Sequence, residues 1–143
     1  MMANTCELTV GRLLEIRVAD GYRSVADVDQ MIHMLQRNVA SLTLDEKVVI
    51  AADWRAVQVM SPDTAARAKE MLAGVNPRVI RSAILTLPEN PLTNLQVVRL
   101  IREAENRARR HFSEPSALTA WLAEVLTPVE TERLRAFLGP TED

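Results

Sequence analysis

A chain of 143 residues, 48% hydrophobic and 25% charged, is long enough to bury a core without help from disulfides or metal ions. Its one cysteine, Cys6, excludes a disulfide framework, and two histidines with one cysteine are too few for a structural zinc site. The formal net charge is -2, and aromatic residues make up only 3% of the chain, which disfavours a surface built for base stacking. We therefore expect no cofactor, no bound metal and no nucleic-acid partner.

Neither end nor middle of the sequence shows a membrane or export signal. No stretch of about 18 apolar residues occurs, and residues 1–7 lack the basic and apolar segments of a secretion signal. The sequence therefore predicts a cytoplasmic protein with no integral membrane association.

The first half of the chain predicts two strands, a helix and a buried strand. Segments 7–10 and 13–18 alternate apolar and polar residues and are joined at Gly11, as in a pair of neighbouring strands. Apolar residues then recur at helical spacing through residues 25–42. The uninterrupted apolar run 47–52 is typical of a strand covered on both faces.

A strong helix start follows this strand. Ser61 supplies an N-cap hydroxyl, Pro62 suits the first helical position, and Asp63 places an acid near the positive end of the helix dipole. Gly74 suits a left-handed residue after the helix end. The apolar segment 79–87 predicts the next strand, central in the sheet.

The last third of the chain is predicted to be mostly helical. A long helix is expected over about residues 92–110, then a very short edge strand at 111–112 and two helices that begin near Pro115 and Pro128. Gly139-Pro140 is expected to end the last helix. The element order predicts an α/β fold: a single layered domain with a mixed central sheet of about four to five strands, helices packed on it, and a C-terminal helical pair.

Charge is unevenly distributed along this domain. Residues 78–110 carry a net charge of +4, whereas residues 111–143 carry -4. Five arginines of the basic segment form a candidate basic surface: Arg99, Arg102, Arg107, Arg109 and Arg110. Phosphate contact is one role for them. Because the whole chain is slightly acidic, we favour pairing with Glu103, Glu105 and the acidic C-terminal helices.

The sequence offers little equipment for catalysis. His33 follows an apolar position of the first helix, and the sequence indicates no nucleophile that it could activate as a general base. His111 follows two arginines. Cys6 has no basic neighbour to stabilise a thiolate. We expect His33 to be a surface or boundary histidine, His111 to be solvated and Cys6 to be inert. We therefore expect no enzymatic activity.

The segment from Val48 to Asp53, followed by Met60-Ser61-Pro62-Asp63-Thr64, resembles the core of the STAS domain, the anti-sigma-factor antagonist fold. In that family a central strand leads to a Met-Asp-Ser-Ser-Gly loop at a helix start. The segment 111–122, with its short strand, Glu-Pro turn and Ala-Trp-Leu helix, looks like the SpoIIAA-like proteins of the STAS and SEC-fourteen group. The resemblance covers about residues 6–126, with the helix at 127–138 packed on the same domain.

The loop departs from the family pattern at one position. Asp63 falls where the phosphorylated serine of an antagonist stands, and Pro62 falls on the serine before it. The resemblance therefore does not imply the standard phosphorylation switch, although Ser61 and Thr64 flank the position. The fixed single charge of Asp63 is smaller than the roughly -1.5 to -2 of a phosphate.

The resemblance implies a bacterial regulatory or scaffolding module that binds a protein partner through Met60, Ser61, Pro62, Asp63 and Thr64, with a homodimer as one form of such binding. Its SEC-fourteen side implies an alternative, a module that holds a lipid or another apolar small molecule between the sheet and the helices of Val97 or Trp121. A small enzyme ranks third.

Overall fold

The computed structural model describes residues 3–139, which form five strands and five α-helices. The strands are β1 (Thr5–Val10), β2 (Leu13–Arg17), β3 (Val48–Asp53), β4 (Val79–Leu85) and β5 (Arg109–Phe112). The helices are α1 (Val25–Ala40), α2 (Pro62–Val75), α3 (Pro91–Glu103), α4 (Pro115–Ala123) and α5 (Pro128–Leu138). The α/β class and the mixed sheet are confirmed. Pro140, predicted to end the last helix, lies outside the described residues.

The strands lie in chain order across one sheet, with β1 antiparallel to β2 and every other neighbouring pair parallel. All six residues of β3 are buried, because this central strand has helices on both of its faces. The continuous apolar run at residues 47–52 therefore correctly indicated a strand that is covered on both faces.

Alternate residues of the strands pack in two separate hydrophobic cores, one on each face of the sheet. Leu14, Ile16 and Ile50 point to the face that carries α1, α2 and α3. Leu13 and Val49 point to the opposite face, under α4 and α5. The domain therefore has three layers, with three helices on one face and two on the other.

Helix α3 is shorter than predicted, since it ends at Glu103 rather than near Arg110. Glu105 adopts a left-handed backbone conformation with a φ of 52°. The side-chain oxygen of Asn106 then accepts a hydrogen bond from the Ala108 amide at 2.8 Å. This turn releases residues 109–112 to pair with β4 as a parallel strand, so tertiary pairing overrides the local helical preference.

Helix α2 also ends differently from the prediction, because Gly74 lies inside it and the helix continues to Val75. The side chain of Val75 is buried in the core beside α1, which favours one more helical residue. Asn76 and Pro77 then form a short 3-10 turn, in which the Asn76 side chain donates to the carbonyl of Ala104 at 2.8 Å.

Helix α5 is attached to β2 and to the turn before it by charged side chains along its whole length. The carboxylate of Glu130 accepts hydrogen bonds from the amide of Arg12 at 2.7 Å and from its guanidinium at 3.0 Å. Arg133 donates two hydrogen bonds, of 2.7 and 2.8 Å, to the buried carboxylate of Glu15. The guanidinium of Arg17 reaches the Phe137 carbonyl at the C-terminal end of the helix. These contacts fix α5 on the sheet.

Candidate functional site

The predicted interaction loop, residues 60–64, connects the segment after β3 to α2, and its residues differ in accessibility. Ser61, Pro62 and Asp63 are exposed, whereas Met60 and Thr64 are buried. Ser61 is the N-cap: its hydroxyl accepts from the Thr64 amide at 3.4 Å and lies 3.0 Å from the Thr64 hydroxyl. The cap predicted from the sequence is therefore present, and Thr64 is withdrawn from solvent.

A side chain of α3 holds this loop in place. The amide nitrogen of Met60 donates to the side-chain oxygen of Gln96 at 2.9 Å, and the side-chain nitrogen of Gln96 donates to the Met60 carbonyl at 2.9 Å. Because this two-bond clamp satisfies both backbone groups of a buried residue, the loop is fixed relative to α3. Sequence reasoning did not identify Gln96.

The clamp lies at one end of an open groove of about 450 Å³ between α2 and α3, here called the α2–α3 groove. Met60, Ala65 and Leu100 are its buried or half-buried lining residues. Pro62 and Ala66 border it on α2, and Leu92 and Leu95 border it on α3. The groove therefore joins the predicted loop to the neighbouring helix surface, on which Leu92 and Leu95 were not predicted as site residues.

Large apolar side chains are exposed along this groove. Leu92 and Leu95 are 70% and 69% exposed, and Val59, just before the loop, is 55% exposed. Single exposed apolar residues are common, but a group bordering one open groove is typical of an interaction surface. Their sequence signal was present: Leu92, Leu95 and Val98 recur every three residues, beside the Val97 and Leu100 that already supply the buried face.

Basic side chains lie at the C-terminal end of the same groove. Lys69 of α2 and Arg99 of α3 line it, and Arg102 is exposed one turn further along α3. Arg99 lies 3.6 Å from the carboxylate of Glu103, and within residues 3–139 neither Lys69 nor Arg102 forms an ion pair. Part of the predicted basic surface thus borders the groove.

The five predicted arginines do not form one surface, because the segment that carries Arg109 and Arg110 is a strand rather than a helix. Arg109 is only 3% exposed and donates to the side-chain oxygen of Asn76 at 2.8 Å, to Ser82 at 3.3 Å and to the carbonyl of Leu72 at 3.2 Å. Burial lowers the pKa of Arg109 to about 10. Arg109 is a structural residue.

Arg107 and Arg110, the other two arginines of the predicted basic surface, are exposed but lie apart from the basic side chains at the groove. Arg110 is on the opposite face of the sheet, with its guanidinium carbon 5.0 Å from the ring centre of Trp121, and Arg107 lies in the turn before β5. Of the five arginines, Arg99 lines the groove, and Arg102 is exposed one turn further along α3.

The candidate catalytic residues, two histidines and one cysteine, lie apart from the groove. His33 is exposed on α1. Cys6 is buried in β1, and burial, together with the charge of Glu7, raises its pKa to about 12, which disfavours a thiolate. His111 is half-buried rather than solvated. Burial lowers its pKa, and its Nε2 lies 2.6 Å from the Thr86 hydroxyl, which in turn contacts Asn94.

The interior leaves little room for the apolar ligand of the alternative hypothesis. A cavity of about 20 Å³ lies between the sheet and helices α1 and α2, beside Trp54 and Ile84. This is enough for one water molecule, whereas pockets for small-molecule ligands measure about 300–1,000 Å³. A larger open groove of about 590 Å³ lies between α1 and α2, where Leu44 is 93% exposed.

Within residues 3–139 no group of three or more His, Cys, Asp or Glu side chains is placed to hold a metal ion, and no helix has the length and apolarity needed to cross a membrane. Comparison of the sequence with known protein families and with characterised proteins gives no match.

Proposed function

We propose that this chain is a non-enzymatic regulatory or scaffolding module of STAS-like type that acts in the bacterial cytoplasm by binding a protein partner in the α2–α3 groove. The observation that carries the proposal is the exposure of Leu92 and Leu95 beside the rigidly held loop at Met60. The resemblance to the SpoIIAA-like proteins, given above, supports the same loop as the point of contact.

The chemistry of the groove supports binding rather than bond making. The side chains that border it are mainly apolar, and the loop's exposed hydroxyl, that of Ser61, caps the helix. Full burial of an exposed leucine side chain contributes about 1.5–3 kcal/mol, and Leu92 and Leu95 are 70% and 69% exposed, so each has apolar area to contribute on binding. The clamp by Gln96 reduces the ordering cost of the loop on binding.

The alternative, binding of an apolar small molecule, is favoured by a different observation. The groove between α1 and α2 carries the apolar side chains of Ile32, Val39 and Leu44. Its two lining arginines that face the rim, Arg67 and Arg78, are already engaged with Asp29 and with the carbonyl of Thr43. Gln36 and Glu70 are the other polar lining residues, so a ligand there would be held mainly by apolar contact, and we rank this function second.

Replacing Leu95 with aspartate should weaken partner binding at least about tenfold, because a charge is placed in the apolar contact. The matched control is Val129→Asp on α5, since Val129 is 68% exposed, close to the 69% of Leu95. Both variants should keep the melting temperature of the parent chain to within a few degrees. The measurement is quantitative capture of partners from native cells by tagged full-length chains. Equal recovery by the two variants would contradict the proposal.

A further inference from the structure

The α2–α3 groove also restricts the chemistry of what it binds. We propose, on the basis of the proposed function, that the bound segment is an amphipathic helix of about three turns whose apolar side faces Leu92 and Leu95 and whose acidic side chains face Lys69 and Arg99.

The backbone chemistry of the groove indicates a helix rather than an extended strand. Both walls are helices, whose peptide groups are already hydrogen-bonded internally along α2 and α3. A strand docked between them would leave its own amide and carbonyl groups without partners, whereas a helix satisfies its backbone internally. The bound segment must therefore bring its own hydrogen bonding.

The length of the α2–α3 groove sets the length of the bound helix. The lining residues of α3 extend from Leu92 to Glu103, a distance of about 16 Å at a rise of 1.5 Å per residue. A helix of about 11 residues covers this distance in three turns. On the α2 side the small side chains of Ala65 and Ala66 allow its axis to approach closely.

The charges at one end of the groove favour a bound helix that carries acidic side chains at that end. Lys69 and Arg99 are exposed there, and the carboxylate of Glu103, which also lines the groove, lies 3.6 Å from the Arg99 guanidinium. Asp63 lies at the opposite, N-terminal end of α2. The lining residues at this end therefore carry two positive charges and one negative charge, and within the described part of the chain Lys69 forms no ion pair. Acidic side chains on the bound helix would meet this net positive charge.

A second copy of the chain is a poorer occupant than an acidic helix. In a two-fold pairing both subunits present the same patch. Because the charged lining residues of each copy are Lys69, Arg99 and Glu103, such a pairing would bring four cations and only two carboxylates into one interface and give it a net positive charge.

The test uses two fluorescent peptides of about 14 residues that carry leucines at the same positions. At the positions that flank these leucines, one peptide has glutamates and the other has lysines. Fluorescence anisotropy measures their binding to the full chain at low and high salt. We expect the glutamate peptide to bind at least about tenfold more tightly than the lysine peptide, with a difference that shrinks as salt is added. In the double variant Lys69→Glu/Arg99→Glu this preference should reverse.

The matched control is Arg37→Glu/Lys47→Glu, which makes the same change in charge at two exposed positions outside the groove and should retain the preference. Equal affinity for the two peptides, no binding of the glutamate peptide, retention of the preference in the groove variant, or a groove-dependent dimer in sedimentation would each overturn the inference. If one of these results appears while Leu95→Asp still loses its cellular partner, the acidic-helix inference fails and the proposed function stands. If Leu95→Asp keeps its partner as well, both fail.

Discussion

Replacing Glu130 with alanine should lower the free energy of unfolding by about 3 kcal/mol, because it removes the acceptor of a buried network. The Glu130 side chain is only 4% exposed. Its oxygens accept from the Arg12 amide at 2.7 Å and from the Thr127 amide at 2.8 Å, in addition to the Arg12 guanidinium. The alanine variant leaves two backbone donors without partners and removes the capping box that starts α5. Urea unfolding of parent and variant measures the difference.

Glu132→Ala is the control for this variant. Glu132 lies on the same helix, is exposed, and contacts only Arg135, at 3.4 Å. An exposed pair of this kind contributes at most about 0.5 kcal/mol, so this variant should unfold close to the parent. A loss of stability in Glu130→Ala no larger than in Glu132→Ala would refute the role given to the network.

The same network predicts how stability depends on pH. Burial of Glu130 acts to raise its pKa, but the hydrogen bonds from Arg12 and Thr127 outweigh this and lower the pKa to about 2. Because an unfolded glutamate has a pKa of about 4.3, the contribution of Glu130 is complete above that value and is lost as the pH falls towards 2. The difference in stability between the parent and Glu130→Ala should therefore shrink on acidification between about pH 4.3 and pH 2.

Replacing Arg109 with alanine is the second substitution for which we expect a large effect, a loss of about 3 kcal/mol. The Arg109 guanidinium links three elements: the end of α2 at Leu72, the turn at Asn76, and β4 at Ser82. Truncation removes these hydrogen bonds and the packing of the side-chain stem, and it leaves a cavity in the core. Thermal and urea unfolding should both report the loss.

Arg110→Ala provides the matched comparison, because it removes the same residue type from the neighbouring position of β5. Arg110 is exposed, and its contact with Trp121 contributes about 0.5–1 kcal/mol. If Arg109 were a surface residue, as the sequence suggested, the two variants would lose similar amounts of stability. The structure predicts a difference of about 2 kcal/mol between them.

Local sequence patterns predicted most of the fold where local and tertiary preferences agree. The buried run of β3, the cap at Ser61 and the helix start near Pro128 all appear as expected. The end of α3 was missed, since residues 103–110 contain good helix formers and no glycine or proline. Their pairing with β4 and the left-handed Glu105 decide the outcome, and neither is visible in the local sequence.

The candidate site was predicted only in part, for a related reason. Ser61 and Pro62 mark a helix start through residue-specific chemistry, so the loop could be located. Leu92 and Leu95 recur with Val98 every three residues, but this spacing does not distinguish an exposed face from a core face, because an apolar residue in a helix is ordinarily assigned to the core. Their exposure depends on how α3 is rotated against the sheet, with Val97 and Leu100 turned inward.

The central claim, that a protein partner binds in the α2–α3 groove, is tested most directly by site-specific photo-cross-linking in native cells. A photoreactive amino acid is placed in turn at Leu95, at Leu44 in the groove between α1 and α2, and at Val129 on α5, all of which are exposed. We predict a cross-linked species of defined mass from position 95, with little or none from positions 44 and 129. The same species at equal yield from all three positions, or cross-links from position 44 alone, would contradict the account.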